Sequence, residues 1–279
     1  MRALIRICAA TAAVITLLVP VTGGAAAGSG HIYWTNEDPG RISRANLDGT
    51  GGELGYIGTA SLDPWAVAVD SNHVYWTNSF HGTIGRANLD GTGVDQNFIT
   101  GATAPLGLAV DSNHVYWADS FGGTIGRANL DGTGVDQNFI TGVNRPRGIA
   151  VDAGHIYWAN DVRSAIGRAN LDGTGVVQKF IGHAGLALSV AVDAAHIYWA
   201  NEARGRGTIG RANLDGTRGK LTFIGGTSGP SAVAVDADYV YWVNLFGHTI
   251  GRANLDGTGV NQSFMVIENS PLGLAIGAG

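Results

Sequence analysis

Five histidines, His31, His73, His114, His155 and His196, recur at intervals of 42, 41, 41 and 41 residues. Imidazoles in that number could ligate a transition metal. A second recurrent group is an Asp-Gly pair, with its carboxylates at Asp48, Asp90, Asp131, Asp172, Asp215 and Asp256. Carboxylates set before a glycine are what a calcium loop uses. Neither chemistry survives the spacing. Each His opens a β-branched and aromatic stretch in a separate unit, so the five cannot converge within the roughly 2 Å bonds of one zinc site. In a calcium-loop register around Asp90, position 1 is Arg86 and position 12 is Asn97. A cation stands where a carboxylate is required, and the bidentate Glu is missing. The Asp-Gly pairs read instead as turns, in which Asp accepts local backbone bonds and Gly supplies a positive φ. Outside these repeats no Ser, His and Asp form a nucleophile with its base. The sole cysteine, Cys8, sits near the N-terminus. The expectation is no catalytic residue, no metal and no cofactor.

The elements that carry these residues form a repeat. Tyr-Trp occurs six times, with its tryptophans at Trp34, Trp76, Trp117, Trp158, Trp199 and Trp242. Arg-Ala-Asn-Leu-Asp-Gly-Thr also occurs six times, from Arg44, Arg86, Arg127, Arg168, Arg211 and Arg252. A third motif, such as Ala-Val-Ala-Val-Asp, ends at Asp70, Asp111, Asp152, Asp193 and Asp236, with a degenerate copy at residues 273–276. The block Gly82–Gly101 is repeated without change as Gly123–Gly142. In the second unit, Ala66–Val69, Val74–Thr77, Thr83–Leu89 and Asn97–Thr100 read as four strands separated by turns. No sustained helical period appears, and the 44 glycines interrupt the chain every few residues. Four strands per unit of about 40–45 residues is the period of a propeller blade. The predicted fold is all-β: a six-bladed β-propeller with four antiparallel strands per blade. Its last strand, Leu272–Ile276, is expected to complete the first blade, joining the ends of the ring and covering sheet edges that would otherwise invite aggregation. The mid-strand arginines then need partners, and carboxylates or carbonyls of the same or the adjacent blade are expected to supply them.

Tyr-Trp-Thr-Asn followed by Ile-Gly-Arg-Ala-Asn-Leu-Asp-Gly-Thr resembles the YWTD repeat of low-density-lipoprotein-receptor-type six-bladed propellers. The motif's final Asp is retained only at Asp119; Asn36, Asn78, Asn160, Asn201 and Asn244 replace it. The EGF-like modules that accompany receptor propellers are absent from the sequence. The resemblance implies the propeller fold and a ligand-binding loop face, not lipoprotein binding or endocytosis.

The first thirty residues differ from the rest. Arg2 and Arg6 precede an apolar run over Ile7–Val21, and small residues follow. This is the pattern of a secretory signal, predicted to span residues 1–27 and to be cleaved, leaving 28–279 as one propeller domain. The run is short for a membrane span, so no stable membrane insertion is expected after cleavage. The expected location is secreted or associated with the cell envelope. The net charge of −5, with no basic block, argues against nucleic acid.

Eleven of the 22 acidic residues occupy repeat positions, so function is sought in what varies. Variation concentrates in the loop after Tyr-Trp-x-Asn and the loop before the first strand, which emerge on one face. Candidate ligand-binding residues there are Glu37, Asp38, Trp65, Phe80, His81, Phe121, Phe246, His248, Arg147, Arg163, Arg204 and Arg206. Exposed aromatics and arginines are enriched at binding hot spots. The alternative assignment for these side chains is an aromatic plug at the channel mouth and solvated arginines. Three functions follow: a monomeric, non-catalytic module binding a protein, peptide or glycan; a metal-dependent lactonase or a lyase; or a structural spacer. The residues entering the first strands, Trp65, Leu106, Arg147, Leu188, Ser231 and Leu272, make a poor shell for a hard cation.

Overall fold

The Tyr-Trp repeat becomes a set of radial sheets. In the computed structural model, which describes residues 30–37, 40–59, 63–160, 164–202, 207–267 and 270–277, each 41- to 43-residue unit makes one four-stranded antiparallel sheet. Blade 2 is typical. Its strands are β4 (Pro64–Val69), β5 (His73–Asn78), β6 (Thr83–Asn88) and β7 (Asp95–Thr100), paired in that order. Three of the four contain the predicted segments and extend them by one or two residues, whereas β6 ends at Asn88, one residue short of the predicted Leu89. Blade 1 combines β1 (His31–Asn36), β2 (Arg41–Asn46) and β3 (Glu53–Gly58) with β24 (Pro271–Gly277). The last strand therefore pairs with the first, with Ile32 opposite Ile276 and Trp34 opposite Leu274. Six such sheets are present among the described residues. Their inner strands touch in a closed cycle that runs from β4 through β8 (Pro105–Val110), β12 (Pro146–Val151), β16 (Ala187–Val192) and β20 (Pro230–Val235) to β24, and back to β4.

Radial sheets converge toward the axis, and the residues obey that wedge. On the inner strands, one face carries Ala68, Ala109, Ala150, Ala191, Ala234 and Ala275 at one level. One level away stand Ala66, Gly107, Gly148, Ser189, Ala232 and Gly273. A Cβ on Gly148 would lie 2.5 Å from Ser189 Cα of the next blade, so nothing larger than hydrogen fits. Further out the gap widens, and the six repeat tryptophans fill it, each at most 1% exposed. Trp76 lies opposite Gly85 across the β5–β6 pair, and a Cβ on Gly85 would come 2.2 Å from the indole. Blades 3 to 6 repeat that contact, whereas blade 1 has Ser43 there. Both faces of each blade are covered by neighbours, which is why Val-Tyr-Trp is buried residue after residue.

Polar repeat residues hold turns and seams. Asp70 Oδ1 accepts the backbone N–H groups of Asn72 and His73 at 2.7 and 2.6 Å, while Oδ2 accepts the Tyr75 hydroxyl at 2.9 Å. The same tyrosine–aspartate bond recurs in blades 3 to 6. In the Asp-Gly turn, Asp90 Oδ1 accepts both the N–H and the hydroxyl of Thr92, at 2.9 and 2.6 Å, and Gly91 takes φ 81°. The repeated arginine bonds a carbonyl of the adjacent blade, the second of the two partners expected. Arg86 Nη1 donates to Leu130 O at 3.0 Å, and its guanidinium lies 4.0 Å from the centre of the Phe98 ring. Equivalent bonds run from Arg44 to Leu89, Arg127 to Leu171 and Arg211 to Leu255, and Arg252 closes the ring on Leu47. Arg44 also pairs with Glu53 at 2.9 Å.

Replacing Arg86 by Met removes a carbonyl bond and a cation–π contact while keeping the aliphatic stem. It should cost about 1–3 kcal/mol in chemical denaturation; unchanged stability would remove the seam role. The turn aspartates give a pH dependence. The Thr hydroxyl and N–H groups hold Asp48, Asp90, Asp131, Asp172, Asp215 and Asp256 below the ordinary carboxylate range. The unfolded chain then binds protons more readily than the native one. The stabilisation is complete above about pH 4 and disappears as pH falls through the lowered values. Melting temperatures measured down that range should drop less steeply for Asp90→Asn combined with Asp131→Asn.

Candidate functional site

Three exposed phenylalanines mark one end of the propeller. Each follows the second strand of its blade: Phe80 after β5, Phe121 in blade 3 and Phe246 in blade 6, at 65%, 75% and 56% exposure. Antiparallel meanders send every connection from second to third strand to the same end, together with the connections between blades. These loops are held from beneath. Ser79–His81 form one 3-10 turn closed by Gly82 at φ 64°. Asp119, the retained motif aspartate, is buried and accepts N–H bonds from Thr103, Ala104 and Gly122 at 2.6, 3.1 and 2.9 Å. Asn244 holds Ser228 N in the same way. In blade 3 Asp119 thus ties together the two loops in which the sequence varies, and in blade 6 Asn244 holds one of them.

Trp65 is not among the exposed aromatics. It is 3% exposed and packs with Leu245, Leu272 and partly buried Leu106. Four side chains from blades 1, 2, 3 and 6 thus form an apolar plug where the inner strands meet this face. The plug is the alternative assignment made for the aromatics; it holds for Trp65, while Phe80, Phe121 and Phe246 stay outside. Arg147 enters the channel end of β12 and is also buried, at 9% exposure. His81, His248 and Arg145 are exposed and Glu37 is half-buried. Asp38, Arg163, Arg204 and Arg206 lie outside the described residues.

Glu202 joins this site without having been singled out. It directly follows Asn201, the repeat position that Glu37 holds after Asn36, so its signal was present in the sequence. Its N–H bonds Leu186 O at 3.1 Å. Burial pushes its carboxyl above the ordinary range, and attraction to Arg147 offsets that only in part. The end of the channel near blades 4 and 5 therefore carries Arg147 and Glu202, against exposed aromatics on blades 2, 3 and 6.

The histidines do not gather. His73, His114, His155 and His196 each stand 3.6–3.7 Å from the aspartate of their own blade. Each ring is tilted against the tyrosine two residues on, with centroids 5.8–6.0 Å apart. They buttress the turns at the end opposite to the phenylalanines. Among the described residues no group of three or more His, Cys, Asp or Glu is arranged to hold a metal ion.

The family model for low-density lipoprotein receptor repeat class B matches residues 113–153, which hold the second strand of blade 3 through the first strand of blade 4. No curated protein matches the chain. Among solved structures, a chain of the nidogen/laminin complex is 23% identical, with a TM-score of 0.73, over 88% of this chain and 98% of that one. A streptogramin B lyase is 18% identical, with a TM-score of 0.63, over 88% and 83%. A catalytically inactive virginiamycin B lyase from Staphylococcus aureus, solved with quinupristin, is 19% identical, with a TM-score of 0.61, over 92% and 86%. At these identities the likeness is one of fold. The six in-phase motifs and the closed ring agree: the chain is a six-bladed β-propeller, and its residues 113–153 match the low-density lipoprotein receptor class B repeat.

Proposed function

We propose that the chain is an exported, non-catalytic binding module whose loop face grips a protein partner. The observation that carries this reading is the exposure of Phe80, Phe121 and Phe246 at one repeat position on one face. Aromatic side chains left in water by a fold that buries its other large rings are the usual anchors of an interface. The apolar plug of Trp65, Leu106, Leu245 and Leu272 supports the same reading, because it fills the channel mouth with packed side chains. Glu37, His81, His248 and Arg147, with Asp38, Arg163, Arg204 and Arg206 beyond the described residues, supply the polar surround in this proposal. The protein named with nidogen in the neighbouring complex, laminin, is a protein partner, which is consistent with the class of ligand. Residues 1–27 direct export and are removed, and the mature propeller acts as a monomer at the cell envelope or outside it. No helix among the described residues is long and apolar enough to cross a membrane.

A lyase is the second reading. It rests on Glu202, a carboxyl with a raised pKa beside Arg147 at the channel mouth, and on the propeller fold shared with two lyases.

Mature protein immobilised and exposed to culture filtrate and envelope extract should retain a partner. The triple variant Phe80→Ala, Phe121→Ala and Phe246→Ala should lose it with an unchanged melting temperature. Retention by the triple variant would sink the loop-face reading, and consumption of quinupristin by the wild type would replace it with the lyase. Trp65→Ala separates plug from surface: it should cost about 3–5 kcal/mol in stability, as expected for a large buried ring.

A further inference from the structure

Four blades carry a glutamine two residues before the aromatic of the fourth strand: Gln96, Gln137, Gln178 and Gln262. In blades 2, 3 and 6 its Oε1 accepts the repeat tryptophan's indole N–H, at 3.1, 3.1 and 3.0 Å. Its Nε2 crosses the seam to a backbone carbonyl of the preceding blade: Gly58, Thr100 and Gly225, at 3.3, 2.8 and 2.9 Å. One primary carboxamide thus bridges a buried donor and a neighbouring acceptor. In blade 4 Gln178 still crosses the seam, to Gly142 O at 3.1 Å, but Asn160 Oδ1 takes the indole at 3.1 Å.

Blades 1 and 5 have leucine at this position, Leu54 and Leu221, exposed at 49% and 42%. Their tryptophans, Trp34 and Trp199, are each 1% exposed, and neither Nε1 has an acceptor among the described residues. A surface groove runs along each of these two seams. One, of about 430 Å³, is lined by Phe180, Gly182, His183, Trp199 and Leu221. The other, of about 380 Å³, is lined by Trp34, Leu54, Phe264 and Val266. Gly182 and Val266 occupy the positions whose carbonyls receive the glutamine amide at the seams before blades 2, 3 and 6. Blade 5 keeps Gly210 under its indole, whereas Ser43 stands under Trp34, so the blade 5 groove preserves the glutamine geometry more closely.

We infer that the groove at the seam of blades 4 and 5 is a binding site for a primary carboxamide, presented as the glutamine side chain of a partner peptide. The protein's own glutamines are the template for the ligand. The indole N–H of Trp199 donates to the amide oxygen, and the amide NH2 donates to Gly182 O. A carboxylate could accept from the indole but has nothing to give the carbonyl, and a hydrocarbon satisfies neither. Sites that present buried polar groups reject ligands that leave them unpaired. The blade 1 groove is a second, more crowded copy. Neither groove is lined by Phe80, Phe121 or Phe246, so this site stands or falls separately from the loop-face reading.

The test uses the whole mature protein with 15N-labelled indoles and the tripeptide Gly-Gln-Gly as probe. The Nε1–H resonance of Trp199 should shift saturably, while those of Trp76, Trp117 and Trp242 stay fixed. Gly-Glu-Gly should bind about tenfold more weakly, the equivalent of one lost hydrogen bond, and the norleucine analogue, which loses both, more weakly still. Leu221→Gln should fill the groove from within, abolish the Trp199 response and raise the melting temperature. Gln137→Leu should open a new site and make Trp117 responsive. A Trp199 resonance unmoved by Gly-Gln-Gly, or moved equally by Gly-Glu-Gly, overturns the assignment. So does a Gln137→Leu protein, folded by its remaining indole resonances, in which Trp117 does not respond. The indole would then be held by Asn201 as Trp158 is by Asn160.

Discussion

Everything in this propeller hangs on how one blade holds the next. Sheets that meet face to face pack by apolar contact, and apolar contact alone does not fix their mutual angle. The repeated arginine does. Its guanidinium lies against the aromatic of its own fourth strand and reaches a leucine carbonyl in the following blade, as from Arg86 to Leu130. The same reach from Arg252 lands on Leu47 and brings the circle back to its start. At Arg86 and Arg252 the half-buried cation is set against a ring face and a backbone dipole rather than a carboxylate. That explains how a chain with only 14% charged residues can use an arginine–carbonyl bond at five of its seams.

The wedge between radial sheets then distributes residue size. Alanine and glycine occupy the inner strands, tryptophan fills the middle, and tyrosine is tied to aspartate near the end opposite to the phenylalanines. Those positions are committed to packing. The loops that leave the second strand are not, and there the blades diverge. A ring whose repeated residues are committed to its own packing leaves one end free to differ from blade to blade, which is the arrangement expected of a recognition surface.

Most of the fold was legible because the unit is repeated six times in phase, so turn, strand and closure could each be checked against the others. The arginine partner was legible only as a choice between carboxylate and carbonyl, since strand register across a seam has no local trace in sequence. Trp65 stood out as a tryptophan off the repeat, which suggested exposure. Its burial depends on Leu245 and Leu272, brought to it from blades 6 and 1 by closure of the ring. Glu202 shares a repeat position with Glu37 but lies in a different electrostatic setting, and only the approach of Arg147 reveals that. The seam glutamines were hidden by their own regularity: Gln96 and Gln137 sit inside the duplicated block. Their role becomes visible where Leu54 and Leu221 interrupt it.

Closure by the final strand also has a consequence in time. β1 is made first, yet its inner-edge partner, β24, is made last. Ribosomes add about 5–20 residues per second, so β1 waits some tens of seconds with one row of backbone hydrogen-bonding groups unmatched. That edge belongs to a His-Ile-Tyr-Trp-Thr-Asn strand, a sequence well suited to pairing with other chains. A nascent chain of this kind gains from being kept unfolded until its last strand is available. The architecture therefore favours delivery of the whole polypeptide before folding begins, rather than blade-by-blade assembly during synthesis.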